Sequence, residues 1–273
     1  NFQLRGKDSE EDALWIKKLA LKNKLECKLK RFNTEVYAKN KKISIQMAAR
    51  KLRYDWFDEL SVKHNYETIL VAHHADDVIE TFMINVIRGS GLNGLVGIPQ
   101  TRGKIIRPLL PFTKIDIVNY AKKYNIKWRE DASNGKTDYL RNALRHKVIP
   151  NWKATNSNFH DQFSTTLANL KQTKAALDYV IEDFKNRYFI KSDKQIKISV
   201  DKLKLLKPID FYLHALFIKY GFENIKDLNQ LLKAQSGKQL FSKTHRLVKD
   251  RSNWLLIEFI GNNDKIYKID RNI

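Results

Sequence analysis

Residues 67–81 read ETILVAHHADDVIET. Through Ala72 the segment is apolar and β-branched on both faces, the composition of a strand buried in a parallel sheet. His73 and His74 then fall at the strand's carboxyl end, and a helix is expected from there to about Ile87. Ligands of open α/β sheets bind at that edge.

The neighbouring segments extend the pattern. Residues 8–22 (DSEEDALWIKKLALK) combine an acidic first turn with a stripe of Leu14, Trp15 and Leu21, predicting a helix. LECKLKRF (25–32) alternates as a strand does. After Ser44, Ile45, Ala49, Leu52, Trp56 and Leu60 recur at helical spacing, with Arg50, Lys51 and Arg53 on the opposite side. The glycine-rich RGSGLNGLVGIP (88–99) precedes a short strand in KIIRPLL (104–110). Residues 113–126 predict a helix in which Thr113 and Asp116 form a capping-box-like pair. Strand–helix alternation of this kind predicts a Rossmann-like α/β fold, a doubly wound parallel sheet through about residue 130.

DYLRNALRHKVIPNW (138–152) predicts a basic helix ending near Pro150, and the polar KATNSN (153–158) is the linker candidate. It separates an α/β domain over 1–152 from a smaller α+β domain over 159–273. The second comprises a long amphipathic helix (about 159–188), a strand in QIKISV, two shorter helices, and a hairpin across KQLFSKTHRLVKD and NWLLIEF.

Bulk composition narrows the class. The 273 residues, 42% of them hydrophobic, can fill one large or two ordinary cores. No apolar run approaches the length of a membrane span, so no membrane partner is expected. The single cysteine, Cys27, has no intrachain disulfide partner and no neighbouring thiol for a metal, which fits a reducing cytoplasm. The net charge of +21 comes as +12 from residues 1–150 and +9 from 151–273, so it is no tail effect. A folded basic protein often meets a polyanion. A lysine-rich, AT-biased genome gives the same surplus.

His73, His74, Asp76, Asp77 and Glu80 support three readings. Asp76 caps the helix while the other acids complement its dipole. Alternatively, the group binds a divalent metal in a phosphohydrolase, although no comparable cluster supplies the remaining ligands. In the third reading the carboxylates, three or four residues apart on one helix face, seat a substrate amine or the metal-bound phosphates of a nucleotide.

HHADDVIET, RGSGLNGLVGIP, IIRPLL, WREDASN and YLRNALRHKVIP occur in this order and at these spacings. Together with NFQLRG at the start and SIQMAARKLRYDWF (44–57), they resemble the bacterial tRNA(Ile)-lysidine synthetases through roughly residues 1–150. SGKQLFSKTHRLVKDR (236–251) resembles that family's later substrate-binding domain. The resemblance implies an N-type ATP pyrophosphatase (PP-loop) fold and a two-step reaction. ATP, arriving with Mg²⁺, adenylates the C2 carbonyl oxygen of the wobble cytidine in the CAU anticodon of an isoleucine tRNA and releases pyrophosphate. Free L-lysine displaces AMP through its ε-amine, leaving lysidine, which pairs with A instead of G.

The residues suit that chemistry. A lysine amine with a solution pKa near ~10.4 must shed a proton to attack, and paired carboxylates can hold the ammonium and then relay it. The resemblance and the helical spacing assign Asp77 and Glu80 to lysine binding and orientation. His74 is the candidate for nucleotide contact or proton transfer, and Asp76 caps the helix or helps hold Mg²⁺ beside ATP. Arg88 neutralises charge at the α-phosphate, or else only meets the helix dipole. Gly89, Gly91, Gly94 and Gly97 allow tight turns or backbone approach to a ligand, Gly89 being the candidate for ATP, or are ordinary loop glycines. Arg50 and Arg53 reach ATP or tRNA phosphate, or form a solvated face. Arg141, Arg145, His146 and Lys147 form a basic face expected against the tRNA backbone. A homodimer is compatible with all of this.

The pattern departs from the family in one respect. The phosphate loop, Ser-Gly-Gly-x-Asp-Ser, has no counterpart, and no Gly-Gly pair occurs in the 273 residues. The expectation is therefore a missing front end, without which this chain does not hydrolyse ATP alone. The end at DRNI also looks abrupt. Two other classes compete: another PP-loop tRNA-modifying enzyme such as a thiolase, for which one cysteine is too few, and a non-catalytic RNA-binding protein.

Overall fold

A parallel pair, β1 (Ile69–Leu70) with β3 (Ile105–Ile106), anchors the first half of the chain. The structure is a computed structural model describing residues 1–130, 140–192 and 195–259. It divides into two units, Asn1–Lys171 and Gln172–Ile273.

In the first unit, α1 (Lys7–Lys22), α2 (Thr34–Lys41) and α3 (Ile45–Lys63) precede β1. Ser44 caps α3, its hydroxyl accepting from the Met47 amide. The βαβ unit then forms as β1–α4–β3, with α4 spanning Ala75–Ile87. Between α4 and β3 come the short α5 (Leu92–Leu95) and β2 (Thr101–Arg102), which pairs antiparallel with β3. Next is α6 (Lys114–Lys123), opened by the expected capping box: the Asp116 amide donates to Thr113 Oγ1, and Asp116 accepts from the Thr113 amide.

Several expectations change. The strand from residue 67 is only two residues long, and Leu70 is 68% exposed rather than buried on both faces. Val71 still donates to Ile106 O at 3.0 Å, but beyond it the chain turns extended into the helix. Residues 25–32 alternate yet form no ladder; their backbone is met by Asn1, through Phe32 N–H to Asn1 O and the amino terminus to Lys30 O, and by the end of α1, through Leu25 N–H to Ala20 O. Alternation specifies a face, whereas a strand also needs a neighbour along its whole length.

The basic helix is described from Leu140 on; residues 138–139 lie outside the described residues. It does not stop at Pro150. It runs as α7 (Leu140–Ala143), a π-helical segment (Leu144–Val148) and α8 (Ile149–Thr155). Proline lacks an N–H and crowds the preceding turn, which is tolerated in the first turn of a helix. Here Pro150 stands in the first turn of α8, directly after the wider π turn. Of residues 153–158, only 156–158 lie outside a helix, and the two units divide within α9 (Phe159–Tyr188).

The second unit holds a five-stranded antiparallel sheet in the order β4-β5-β8-β7-β6. Its strands are β4 (Phe189–Ser192), β5 (Gln195–Ser199), β6 (Gln239–Phe241), β7 (His245–Asp250) and β8 (Asn253–Glu258). Three helices, α10 (Val200–Lys204), α11 (Ile209–Phe217) and α12 (Ile225–Lys233), intervene where two were expected. Leu228, Leu231 and Leu232 recur at i, i+3 and i+4 and are buried. They join Phe217, Leu247 and Trp254 in one core.

Candidate functional site

Helix α4 puts four functional candidates in its first two turns. His74 is the N-cap, so Asp76 and Asp77 are its second and third residues and Glu80 follows one turn later. Asp77, not Asp76, is the capping carboxylate: its Oδ2 accepts the His74 amide at 3.0 Å, satisfying one amide at the head of the helix. A negative charge there is also favoured by the helix dipole.

Asp77 and Glu80 converge as their spacing predicts, and what they converge on is a pair of arginines. Arg141 Nε donates to Glu80 Oε2 at 2.7 Å. Arg145 donates to the other oxygen through Nε at 2.6 Å and to Oε2 through Nη2 at 3.0 Å. Arg141 Nη2 lies 3.5 Å from both Asp77 Oδ1 and Thr81 Oγ1, and Arg145 Nη2 lies 3.7 Å from Asp77 Oδ1. Glu80 is 1% exposed. Burying a charge is costly unless it is paired and hydrogen-bonded, and two guanidiniums meet that requirement.

Arg141 and Arg145 were expected on a face turned toward RNA. They instead hold the acidic pair, because four residues separate them along a helix that passes beside α4. His146 and Lys147 of the same segment are exposed.

Asp76 faces a different set. Lys153 Nζ donates to Oδ1, the Lys114 amide donates to Oδ2 at 2.8 Å, and His74 Nδ1 and His160 Nε2 stand 3.6 and 3.7 Å away. Burial alone raises this carboxyl, but His74, Lys153 and the Lys114 amide outweigh it and hold it well below the ordinary carboxylate range. The Asp76 carboxylate in turn raises His74 against the effect of burial. Burial lowers His73 and His160. With both oxygens engaged, Asp76 ties the heads of α4 and α6 to α8 and is not a ready ligand for Mg²⁺. Among the described residues no group of three or more His, Cys, Asp or Glu could hold a metal ion.

The remaining candidates lie apart. Arg88 is the C-cap of α4, twelve residues beyond Asp76 and so about 18 Å along the axis at 1.5 Å per residue. It does not join the acidic group. Gly89, next to it, has φ +67° and open space around its Cα. Gly97 makes the close approach: at φ +78°, an added Cβ would stand 2.8 Å from Val78 Cγ1 on α4. Arg50 and Arg53 lie over the rings of Tyr54 and Phe2, at 4.9 and 5.3 Å.

Sequence reading missed Lys153 and His160 as partners of Asp76, and Arg141 and Arg145 as partners of Glu80. The i, i+4 arginines of YLRNALRH were visible as a pair, but nothing in one chain says which anion a pair faces.

A carboxylate pair at the head of a helix, beyond the carboxyl end of a parallel strand and clamped by arginines, defines a polar site on an α/β scaffold. The family profile described as the PP-loop domain matches residues 1–152, and the chain belongs to that family. A second profile, described as the TilS substrate binding domain, matches residues 191–259. The relatives make the comparison narrower. A protein of Bacteroides thetaiotaomicron named tRNA(Ile)-lysidine synthase is 35% identical over 266 residues, covering 97% of this chain and 62% of its own length. A Porphyromonas gingivalis protein of that name is 38% identical over 92% of this chain and 55% of its own, and one from Bacillus subtilis 31% identical over 82% and 49%. The chain thus spans about half to three-fifths of the length of these curated relatives. Among the described residues no helix is long and apolar enough to cross a membrane.

Proposed function

We propose that this chain belongs to an enzyme that ligates L-lysine to C2 of the wobble cytidine in an isoleucine tRNA with a CAU anticodon, consuming ATP. One observation carries the reading: a PP-loop domain and a TilS substrate binding domain occur in one chain, in that order. Relatives that match along most of it are named for this activity. In this reading residues 1–152 belong to a doubly wound, Rossmann-like nucleotide-binding domain, and 159–273 help hold the tRNA. ATP enters with Mg²⁺ as the substrate complex, and the reaction takes place in the cytoplasm.

Asp77 and Glu80 seat the lysine ε-ammonium. Their location at the head of α4 supports this, since both side chains already bind cationic nitrogen there. Deprotonating that amine next to the carboxylates generates the nucleophile. His74 is within reach of both Asp76 and Asp77 and can relay the proton. The exposed His146 and Lys147, with Arg50 and Arg53, serve as contacts for tRNA or ATP phosphate. Arg88 and Gly89, remote from the acidic pair, would act on the nucleotide only through the loop after α4.

The test is incorporation of labelled lysine into isoleucine tRNA with CAU by the complete gene product with ATP. No label in the tRNA rejects the reading. Asp77→Ala should lower incorporation by about two orders of magnitude or more, the scale of general acid–base help, while tRNA retention on a filter stays near that of the unaltered protein. An equal loss of both would make Asp77 a structural cap only.

A further inference from the structure

In the first unit the seat proposed for lysine is already filled from within. Glu80 and Asp77 contribute two negative charges, and Arg141 and Arg145 contribute two positive ones. A further ammonium would enter as an unbalanced charge beside a carboxylate that is 1% exposed.

The two arginines are not equivalent. Arg145 makes two close bonds to Glu80, at 2.6 and 3.0 Å. Arg141 makes one, at 2.7 Å, and places Nη2 at 3.5 Å from Asp77 and Thr81, between the carboxylates where an ammonium would sit. Its side chain is also the more exposed, 38% against 28%. It stands in the short α7, ahead of a π-helical segment. Such π turns are rare, frequently sit at functional sites, and carry an extra residue that a helix can shed or shift. With Arg141 withdrawn, Asp77, Glu80 and Arg145 sum to −1, the charge that matches one lysine ammonium. A guanidinium withdrawn from a carboxylate needs another anion, and a phosphoryl group offers the same bidentate geometry.

We infer that Arg141 is an internal occupant of the lysine seat, and that a phosphoryl group draws it off so that lysine enters only when the adenylated cytidine is in place. This rests on the reading of Asp77 and Glu80 given above. It makes Arg141 a positioning residue that couples the two halves of the reaction and keeps free lysine or other cations out of an idle site.

The experiment is calorimetric titration of L-lysine into the complete protein, without tRNA, for the unaltered chain, Arg141→Ala, Arg141→Gln and Arg145→Ala, each first checked for an intact thermal transition. The unaltered chain should bind lysine weakly, and both Arg141 variants at least ~10-fold more tightly, which is about 1.4 kcal/mol. Arg145→Ala should give no such gain, because Arg141 still fills the seat. Adding AMP should tighten lysine binding to the unaltered chain, and by linkage that effect should vanish in Arg141→Ala. Equal lysine affinity in the unaltered chain and both Arg141 variants overturns the inference while leaving the lysine site standing. So does an AMP effect that survives in Arg141→Ala. Absence of lysine binding in every variant, with AMP present, instead rejects the assignment of Asp77 and Glu80.

Discussion

Glu80 lies one turn into α4 with both oxygens against guanidiniums. Glu80→Gln keeps the shape and removes the charge, leaving the two arginines only Asp77, at 3.5 and 3.7 Å, as an anion. Breaking a buried pair costs ~3–5 kcal/mol, but these guanidiniums are about a third exposed and partly rehydrated. A loss of about 2 kcal/mol in urea unfolding is expected, and a loss indistinguishable from zero would mean that the arginines find other anions. Asp76 makes a pH-dependent case. Its carboxyl is held below the ordinary range in the folded protein, so its contribution is present above a pH of about 4 and is lost as pH falls below that. Asp76→Asn should therefore destabilise by about 2 kcal/mol at neutral pH and by progressively less as acid protonates the unaltered carboxyl. His74 works with the opposite sign. Being raised, it stabilises the fold below a pH of about 6.5 and stops doing so as pH rises through its native value. His73 and His160, lowered by burial, oppose it over the acidic range. Thermal melts of His74→Gln should show a larger deficit at pH 6 than at pH 9.

Among the elements, helices with a periodic stripe, an acidic first turn or a cap were legible from sequence: α1, α3, α4, α6 and α9 all lie close to where their residues place them. The strands were less so. Residues 25–32 carry the alternation of a strand, but what completes a strand is a partner that no local pattern names. Pro150 was misread as an end because the π turn before it accommodates the ring, and that is a tertiary adjustment. The acidic pair was legible because i, i+3 spacing on a helix is fixed by covalent geometry, whereas its arginine partners, some sixty residues away, were not. Gly97 links sequence to packing more directly. Its positive φ and the 2.8 Å approach of Val78 leave no room for a side chain, whereas Gly89 has a positive φ and open space. Gly89→Ala should cost ~1–2 kcal/mol, the left-handed penalty alone. Gly97→Ala should cost more than that, because α4 must also shift. Equal melting points for the two variants would show that the loop after α4 moves freely away from the helix.

At the scale of the whole molecule, charge is what the two sequence halves share. The surplus of +21 is distributed as +12 and +9 over residues 1–150 and 151–273, and both family profiles fall on basic segments. Several lysines and arginines are spent internally: Arg141 and Arg145 on Glu80, Lys153 on Asp76, Arg129 on Glu11 and Asp12. Exposed cations such as Lys147 remain for a polyanion. If about five of them neutralise phosphates, counterion release gives a log–log slope of about −4, so affinity for tRNA should fall by roughly two decades between 0.1 and 0.3 M salt. Binding of free lysine to the Arg141→Ala protein should change far less, because Asp77 and Glu80 are largely buried and salt screens buried charges weakly. Filter binding of tRNA and calorimetry of lysine across the same salt series separate the two. A tRNA slope near zero would mean that the positive surface is only a solubilising coat, and recognition would then have to rest on neutral contacts that stack or hydrogen-bond the exposed bases.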